Sequence, residues 1–212
     1  MDDHAIFAGE ALTFDEAAAL PPIRDKRFYM ACLDLEGRDC LVVGAGPVGH
    51  EKIEGLLDAR ARVTVVSPEA IAAVQDLPVE WIQREYEPAD LEGRFLVVAA
   101  TNVPAVNRGV YEDAERRNML CNVADVPELC NFILPAVLRR DPIAIGISTG
   151  GASPALAQRI RRDIEALVGP EHQQLARELR RLRPWAKRNL ATYEDRKVFF
   201  QHCVERALGR SR

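Results

Sequence analysis

Three glycines in the first half of the chain have the spacing of a phosphate-binding turn. Gly44, Gly46 and Gly49 follow an apolar run at residues 40–43 and precede an amphipathic segment. In a G-x-G-x-x-G turn, the first glycine permits a tight bend, the second lets backbone approach a pyrophosphate, and the third lets a helix pack closely on a strand. The N–H groups at the helix start would hold the phosphates. The alternative is a glycine-rich turn that binds nothing.

The elements around this turn alternate between strand and helix. A helix is predicted over residues 48–59 because Ile53, Leu56 and Leu57 share one face. Strands are predicted at 40–43, 63–66, 79–83, 95–99 and 119–123, helices at 69–76 and 104–117, and a strand or extended lead-in at 27–35. Such alternation predicts an α/β fold with a doubly wound, Rossmann-type parallel sheet.

The pattern changes after residue 130. Residues 131–139 and 142–149 are strand-like and separated by a short turn, which predicts a hairpin, with Pro135 indicating an edge strand or a bulge. Helical stripes follow from Pro154 to the chain end. We therefore predict four parts: an N-terminal extension at 1–26, a Rossmann domain at 27–130, a dimerisation segment at 131–152 and a small helical domain at 153–212.

A second loop could bind anions. Small residues, which permit close approach, precede a helix whose N-cap is predicted at Ser153 and whose first turn holds Pro154. Arginines follow in the same helix, although solvated surface arginines are the default interpretation. The candidate residues for substrate binding are Ser148, Thr149, Gly150, Gly151, Ser153 and Arg159.

Composition excludes several classes of protein. The 212 residues are 48% hydrophobic and 28% charged, typical of a globular protein, and no apolar run has the roughly 20 residues that a membrane helix needs. The N-terminus is acidic and lacks the basic start of a signal peptide, so we expect a cytoplasmic protein. The five cysteines are odd in number and form no C-x-x-C pair, which indicates reduced thiols.

Charge is unevenly divided along the chain. Residues 151–212 carry 14 Lys+Arg and 7 Asp+Glu, a net of +7, whereas the whole chain is −4, so residues 1–150 carry −11. A basic region can bind nucleic acid or a polyanionic small ligand, or be a set of solvated helix faces. Aromatic residues are few there and acids interrupt the basic residues, so we expect no nucleic-acid partner.

Four motifs, in order, resemble one enzyme family. LDLEGRDCLVVGAGPVGHEKIEGLL, LVVAATNVPAVN, CNVADVPELCNFILPAVLRR and IGISTGGASPALAQRIR are similar to the precorrin-2 dehydrogenase and sirohydrochlorin ferrochelatase family, the N-terminal module of sirohaem synthase. The resemblance covers about residues 28–200. It implies oxidation of precorrin-2 to sirohydrochlorin with NAD as hydride acceptor, a homodimer, and a tetrapyrrole cleft between the domains. Some members also insert ferrous iron, which is then a substrate.

The resemblance also assigns roles to single residues. The family's catalytic carboxylate falls in its N-V-x-D motif, matched here by residues 122–125, so Asp125 is a base or a substrate-orienting carboxylate; the alternative is a helix cap. Thr101 and Asn102 border the nicotinamide side or cap a helix. The remaining cofactor residues carried over are Gly44, Gly46, Pro47, Val48, Gly49, Pro68 and Glu69.

Two questions stay open at this level. Glu69 lies 20 residues beyond Gly49, where a ribose-binding carboxylate is expected, but it follows a proline, and the predicted strand end at Val66 and Ser67 carries no acid. NAD rather than NADP therefore rests on the family. The four histidines lack ligand spacing, so no metal site is predicted, and a non-catalytic NAD-sensing module with a dimerising tail is the alternative function.

Overall fold

The computed structural model describes residues 28–209, so the predicted extension at 1–26 lies outside the described residues. Its centre is a five-stranded parallel sheet with the order β3-β2-β1-β4-β5. The strands are β1 (Asp39–Ala45), β2 (Arg62–Ala70), β3 (Glu80–Ile82), β4 (Leu96–Ala99) and β5 (Leu120–Val123). From β1 the chain first adds strands on one side of the sheet, β2 and β3, and then on the other side, β4 and β5. Open α/β sheets bind ligands in the crevice at this change of direction, which lies between β1 and β4. The predicted Rossmann-type α/β fold is confirmed.

Helices cover both faces of this sheet. They are α1 (Pro47–Asp58), α2 (Ala72–Gln75) and α3 (Pro104–Arg116). Cys40 and Val42 of β1 belong to the hydrophobic core that includes Ile53 of α1. Leu41 belongs to the opposite core, together with Val110 of α3. Successive residues of β1 thus point to opposite faces and both are buried, which explains its continuous apolar run.

The remaining chain forms a hairpin and three helices. Strands β6 (Ala136–Arg140) and β7 (Ile143–Ile147) pair antiparallel, as predicted. They are followed by α4 (Pro154–Glu165), α5 (Pro170–Asn189) and α6 (Tyr193–Leu208). The buried hydrophobic residues of this part are few: Leu138, Ile147, Ala157 and Ala186. It therefore has little core of its own among the described residues.

The structure corrects some element boundaries. Residues 28–35 form no strand, and β2 runs on through Ala70 instead of ending near Val66. The pairing of β2 with β1 changes register on the way: Val43 pairs with Val66, but Ala45 pairs with Ala70, so β2 carries two extra residues at this point. The register change places Pro68 and Glu69 on the surface and delays the next helix to Ala72.

Prolines behave according to their place in each element. β6 begins just after Pro135, because a proline cannot donate to the ladder. Pro184 lies inside α5. At the start of α4 the Ser153 hydroxyl accepts a hydrogen bond from the N–H of Leu156, so the predicted N-cap is confirmed.

Candidate functional site

The carboxyl ends of three adjacent strands carry half of the predicted site residues. The glycine turn follows β1, Thr101 and Asn102 follow β4, and Asp125 follows β5. Because β1, β4 and β5 are parallel neighbours, these three loops lie at one edge of the sheet. The segments 44–49, 101–102 and 124–125, which are separate in sequence, thus form one candidate site.

The three glycines have different surroundings. Gly44 has a φ of +104°, and a Cβ there would lie 2.5 Å from the carbonyl oxygen of Ala100, so only glycine fits between β1 and the loop after β4. A Cβ on Gly49 would meet the carbonyl oxygen of Gly44, which shows the close approach of α1 to β1. A Cβ on Gly46 would meet nothing within 4 Å. Gly44 and Gly49 are therefore needed for packing, whereas Gly46 leaves open space.

That open space lies at the start of α1. Gly46 is the N-cap and offers no side chain to the helix, the first turn contains no acid, and Pro47 occupies the first helical position. Pro47 and Val48 are exposed. No side chain therefore caps the N–H groups of the first turn, and the positive end of the helix dipole faces open space. This arrangement can bind a phosphate. The residues present fit a dinucleotide.

The end of β2 lies beside the same turn. Ala70 pairs with Ala45, and the N–H of Ile71 donates to the carbonyl oxygen of Ala45 at 3.1 Å. The preceding residues are held by the Ser67 hydroxyl, which donates to the carbonyl oxygen of Glu69 at 2.6 Å. The side chain of Glu69 is exposed. The two-residue register change thus fixes the backbone of Glu69 near the glycine turn while leaving its carboxylate open to solvent.

The loop after β4 is held by a residue that the sequence did not single out. Asn107, on α3, is buried, and its amide accepts from the N–H of Thr101 at 3.2 Å and donates to the carbonyl oxygen of Thr101 at 2.9 Å. The Thr101 hydroxyl donates to the same amide oxygen at 2.8 Å. Asn102 is exposed. A sequence signal existed: Asn107 is a polar residue in line with Val110 and Ala114 of the apolar stripe.

Asp125 lies at the tip of a turn after β5. Its side chain is exposed and its φ is +60°, a left-handed conformation that aspartate tolerates better than most residues. The turn is tied to the sheet by the N–H of Ala124, which donates to the carbonyl oxygen of Ala99 at 2.9 Å. The backbone thus directs this carboxylate outward from the carboxyl edge of the sheet.

A buried thiol anchors the same turn. The sulfur of Cys130 accepts from the N–H of Val123 at 3.3 Å and lies 3.3 Å from the carbonyl oxygen of Val126. Asn122, also buried, donates to the carbonyl oxygen of Phe132 at 3.1 Å. Asn122 and Cys130, both within the CNVADVPELCN motif, therefore close a loop around Asp125. The role of Cys130 was not predicted from the sequence.

Cysteines elsewhere in the sheet are not reactive groups. Burial raises the pKa of Cys40 to about 11 and that of Cys121 to about 12, so both thiols are neutral near pH 7. Cys40 and Cys121 are free thiols. Within residues 28–209, no group of three or more His, Cys, Asp or Glu side chains could hold a metal ion.

The second predicted loop belongs to the junction between β7 and α4. Thr149 accepts from the N–H of Ser153 at 3.1 Å, and Gly150 and Gly151 have φ values of +66° and +91°. Ser148 accepts from the N–H of Gly150 at 3.1 Å. These bonds give the loop a defined shape with open space above both glycines. The loop follows the two-stranded sheet and not a strand of the five-stranded sheet.

The arginine predicted beside this loop has an acidic neighbour. Arg159 donates to both carboxylate oxygens of Asp163, at 3.0 and 3.1 Å, one turn further along α4. Both side chains are mostly exposed. An exposed pair of this kind contributes little to stability, so Arg159 can exchange Asp163 for another anion at small cost.

Within the described chain, no helix has the length and apolar character that crossing a bilayer requires.

Family models match two parts of the chain. The family described as "Putative NAD(P)-binding" matches residues 31–136, which contain the whole parallel sheet and the loops at its carboxyl edge. The family described as "Sirohaem biosynthesis protein central" matches residues 140–167, which run from the hairpin turn into α4 and contain the second loop.

Curated relatives match most of this chain. It is 36% identical over 181 residues to a siroheme synthase of Methylobacillus flagellatus, covering 84% of this chain and 39% of that protein. It is 39% identical over 182 residues to a siroheme synthase of Thioalkalivibrio sulfidiphilus, covering 84% of this chain and 37% of that protein. The chain thus spans less than two fifths of the length of these relatives.

A solved structure matches over nearly its whole length. SirC, a precorrin-2 dehydrogenase, is 28% identical and superposes with a TM-score of 0.73, covering 86% of this chain and 94% of that one. The chain therefore belongs to the NAD(P)-binding family whose model spans half of it, and its resemblance to the precorrin-2 dehydrogenase module of sirohaem synthase is confirmed.

Proposed function

We propose that this protein oxidises precorrin-2 to sirohydrochlorin, with NAD as the hydride acceptor, in the biosynthesis of sirohaem. The observation that carries the proposal is the placement of an uncapped glycine turn after β1 and an exposed carboxylate, Asp125, after β5, at the same edge of the sheet with β4 between the two strands. The similarity to siroheme synthases and to SirC supports a reduced tetrapyrrole as the substrate.

The reaction removes two hydrogens from the macrocycle, one as a hydride and one as a proton. NAD, when bound by the turn at residues 44–49, supplies the acceptor for the hydride. Asp125 takes up or orients the proton, since it is the carboxylate nearest in the chain to the end of β5 and is held by the Asn122 and Cys130 loop. Thr101 and Asn102 border the nicotinamide side of the same edge, where Asn107 fixes their backbone.

The choice of NAD is supported by Glu69. Its backbone is fixed beside the glycine turn by the register change in β2, and its exposed carboxylate can accept hydrogen bonds from a ribose. A carboxylate there also repels the additional phosphate of NADP. Pro68 precedes it and is part of the same exposed turn.

The tetrapyrrole carries many carboxylates, and the loop after β7 offers groups that bind them. Ser148 and Ser153 supply hydroxyls, and Gly150 and Gly151 permit close approach. Thr149 holds the loop in shape, because its hydroxyl donates to the carbonyl oxygen of Ser153 at 3.1 Å and accepts from the N–H of Ser153. Arg159 supplies a cation at the exposed surface of α4. Charge-assisted hydrogen bonds of this type orient a polyanion in a cleft.

A homodimer accounts for the partly exposed apolar surface of the hairpin. Leu138 and Ile147 on one face are buried, whereas Val137 on the other face is exposed, and Leu134 and Leu156 nearby are about half exposed. An isolated two-stranded hairpin is marginally stable in water, so a second copy that covers this face would stabilise it.

Ferrous iron would be a further substrate, with Asp125 accepting the pyrrole protons.

The decisive experiment incubates the protein with precorrin-2 and NAD under anaerobic conditions and follows NADH formation together with the product spectrum. We expect stoichiometric NADH and sirohydrochlorin. Asp125→Asn keeps the left-handed turn but removes the base, so turnover should fall by about 10²–10⁴-fold with NAD binding unchanged. Glu112→Gln, an exposed carboxylate on α3, is the matched control. Binding of NAD without turnover in the unaltered protein would instead support an NAD-sensing module.

Iron insertion is tested separately with sirohydrochlorin and ferrous iron. Sirohaem formation faster than in the absence of protein, and slower with Asp125→Asn, would establish the second activity.

A further inference from the structure

An uncovered groove lies between the last two helices. It has a volume of about 730 Å³ and runs between the end of α5 and one face of α6. Tyr193, Phe200 and Val204 form its apolar floor at helical spacing along α6. Tyr193 is 74% exposed and Val204 is 38% exposed. We call this surface the α5–α6 groove.

The floor of the groove is supported from beneath by aromatic packing. Phe200 meets Phe199 edge to face, with ring centroids 5.3 Å apart, and Phe199 lies 5.4 Å from the ring of Trp185 on α5. The aromatic cluster holds the two helices together and leaves the apolar surface above it in contact with water. An apolar strip between two helices is the surface that an amphipathic segment binds.

The rim of the groove is positively charged. Arg183, Lys187, Arg196 and Lys197 line it, against one acid, Glu205. Lys197 is paired with Glu194 at 3.1 Å, and Arg196 donates to the carbonyl oxygen of Leu190 at 2.8 Å. Arg183 and Lys187 make no ion pair within residues 28–209, so two uncompensated cations flank an apolar strip. The complementary occupant is an apolar segment with acidic residues.

We propose that the N-terminal segment of this chain, residues 1–20, binds in the α5–α6 groove. The segment contains five acids and no Lys or Arg, with large apolar residues between the acids. The acids are Asp2, Asp3, Glu10, Asp15 and Glu16, and the large apolar residues are Ile6, Phe7, Leu12, Phe14 and Leu20. Its net charge of −5 and its apolar side chains match the cationic rim and apolar floor.

The point where the described chain begins is compatible with this docking. The Cε atom of Met30 lies 3.3 Å from the position of a Cβ on Gly146, so the chain enters along the hairpin that packs on α4. The 27 preceding residues span up to roughly 90 Å when extended, against roughly 40 Å for the diameter of a domain of this size. The segment can thus reach the groove of its own chain or of a second copy.

The test is made on the full chain. A benzophenone photo-crosslinking residue replaces Phe7, and the crosslinked peptides are identified by mass spectrometry. We expect crosslinks to the peptides that contain residues 183–205. The double variant R183E/K187E would place negative charges on the rim opposite the acidic segment and should lower the yield of these crosslinks about tenfold, and adding D15K/E16K should restore it. Raising the salt concentration should lower the yield in the unaltered protein.

A matched control uses R180E/R181E, which changes the same charge on exposed residues of α5 outside the groove and should leave the yield unchanged. Mixing heavy- and light-isotope protein assigns the crosslink to the same chain or to another copy, and both results support the proposal. Crosslinks elsewhere on the molecule, or a yield insensitive to R183E/K187E, would overturn it. The measurement needs no NAD or tetrapyrrole, so it is independent of the proposed enzyme activity.

Discussion

The buried amide of Asn107 forms a two-way hydrogen-bonded clamp on the backbone of Thr101, accepting from its N–H and donating to its carbonyl oxygen. The clamp joins α3 to the loop after β4, directly below the turn at Gly44. The shape of the loop that we propose to border the nicotinamide therefore depends on Asn107, which is not itself a predicted site residue.

Replacing Asn107 with leucine should loosen this loop. The N–H and carbonyl oxygen of Thr101 would lose their partner, and an unsatisfied buried polar group costs about 1–3 kcal/mol. We expect the free energy of unfolding to fall by that amount and the KM for NAD to rise, both measurable by denaturant titration and steady-state kinetics. Asn102→Ala, at the exposed neighbour, should leave unfolding unchanged; an equal loss in both variants would contradict the clamp.

Two of the turn glycines, Gly46 and Gly49, should affect different properties, the first cofactor binding and the second stability. Gly46→Ala adds a Cβ in open space, so the fold should be unaffected while NAD binding weakens through contact with the pyrophosphate. Gly49→Ala should instead lower the melting temperature, because its Cβ would overlap the carbonyl oxygen of Gly44. Gly55→Ala, in the exposed middle of α1, should stabilise by about 0.5–1 kcal/mol. Calorimetry with and without NAD measures all three.

Low pH should reduce the free energy of unfolding, in part because Asp90 becomes protonated. Its buried carboxylate accepts two hydrogen bonds from Arg84, at 2.6 and 2.9 Å. This guanidinium holds the pKa of Asp90 below its ordinary value of 3.8. The N–H of Glu87 lowers the pKa further, whereas burial of the carboxylate opposes the shift. A lowered pKa in the folded state gives stability that is complete above pH 3.8 and is lost as the pH falls through the folded-state pKa.

Asp90→Asn should therefore be less stable than the unaltered protein by about 1.5–3 kcal/mol at pH 7. The difference should narrow as the pH falls below 3.8, where the unaltered protein loses its own ion pair. Urea titrations at a series of pH values measure it. For Glu92→Gln, at an exposed neighbour, the free energy of unfolding should change with pH as it does in the unaltered protein. If Asp90→Asn were less stable by the same amount at every pH, the stability of the fold would not depend on the ionisation of Asp90.

The proposed dimer should depend on the partly exposed face of the hairpin that carries Val137. Val137 is 37% exposed and pairs with Gly146 of β7. Val137→Glu would place a charge at the centre of the shared face, so we expect a monomer in analytical ultracentrifugation at concentrations where the unaltered protein is a dimer. Leu208→Glu, near the end of α6, should not change the sedimentation of the protein. A monomeric unaltered protein would disprove the dimer.

Local patterns determined much of this fold in advance. The parallel strands are continuous apolar runs because both their faces are buried, and the glycine spacing marks the place where α1 leaves β1. The N-cap at Ser153 depends only on residues within one helical turn, so it was readable from the chain. The family of the protein was also readable, since four motifs occur in order.

Only the tertiary structure showed how the loops of the site are held. The register change that extends β2 to Ala70, the Asn107 clamp and the Cys130 anchor each join residues through hydrogen bonds between different segments. Such bonds leave no periodic signal, because their energy depends on where two segments meet and not on the residues next to them. The spacing of the glycines alone also could not show that they differ in function. A Cβ on Gly46 would lie in open space, whereas a Cβ on Gly44 or Gly49 would collide with backbone atoms.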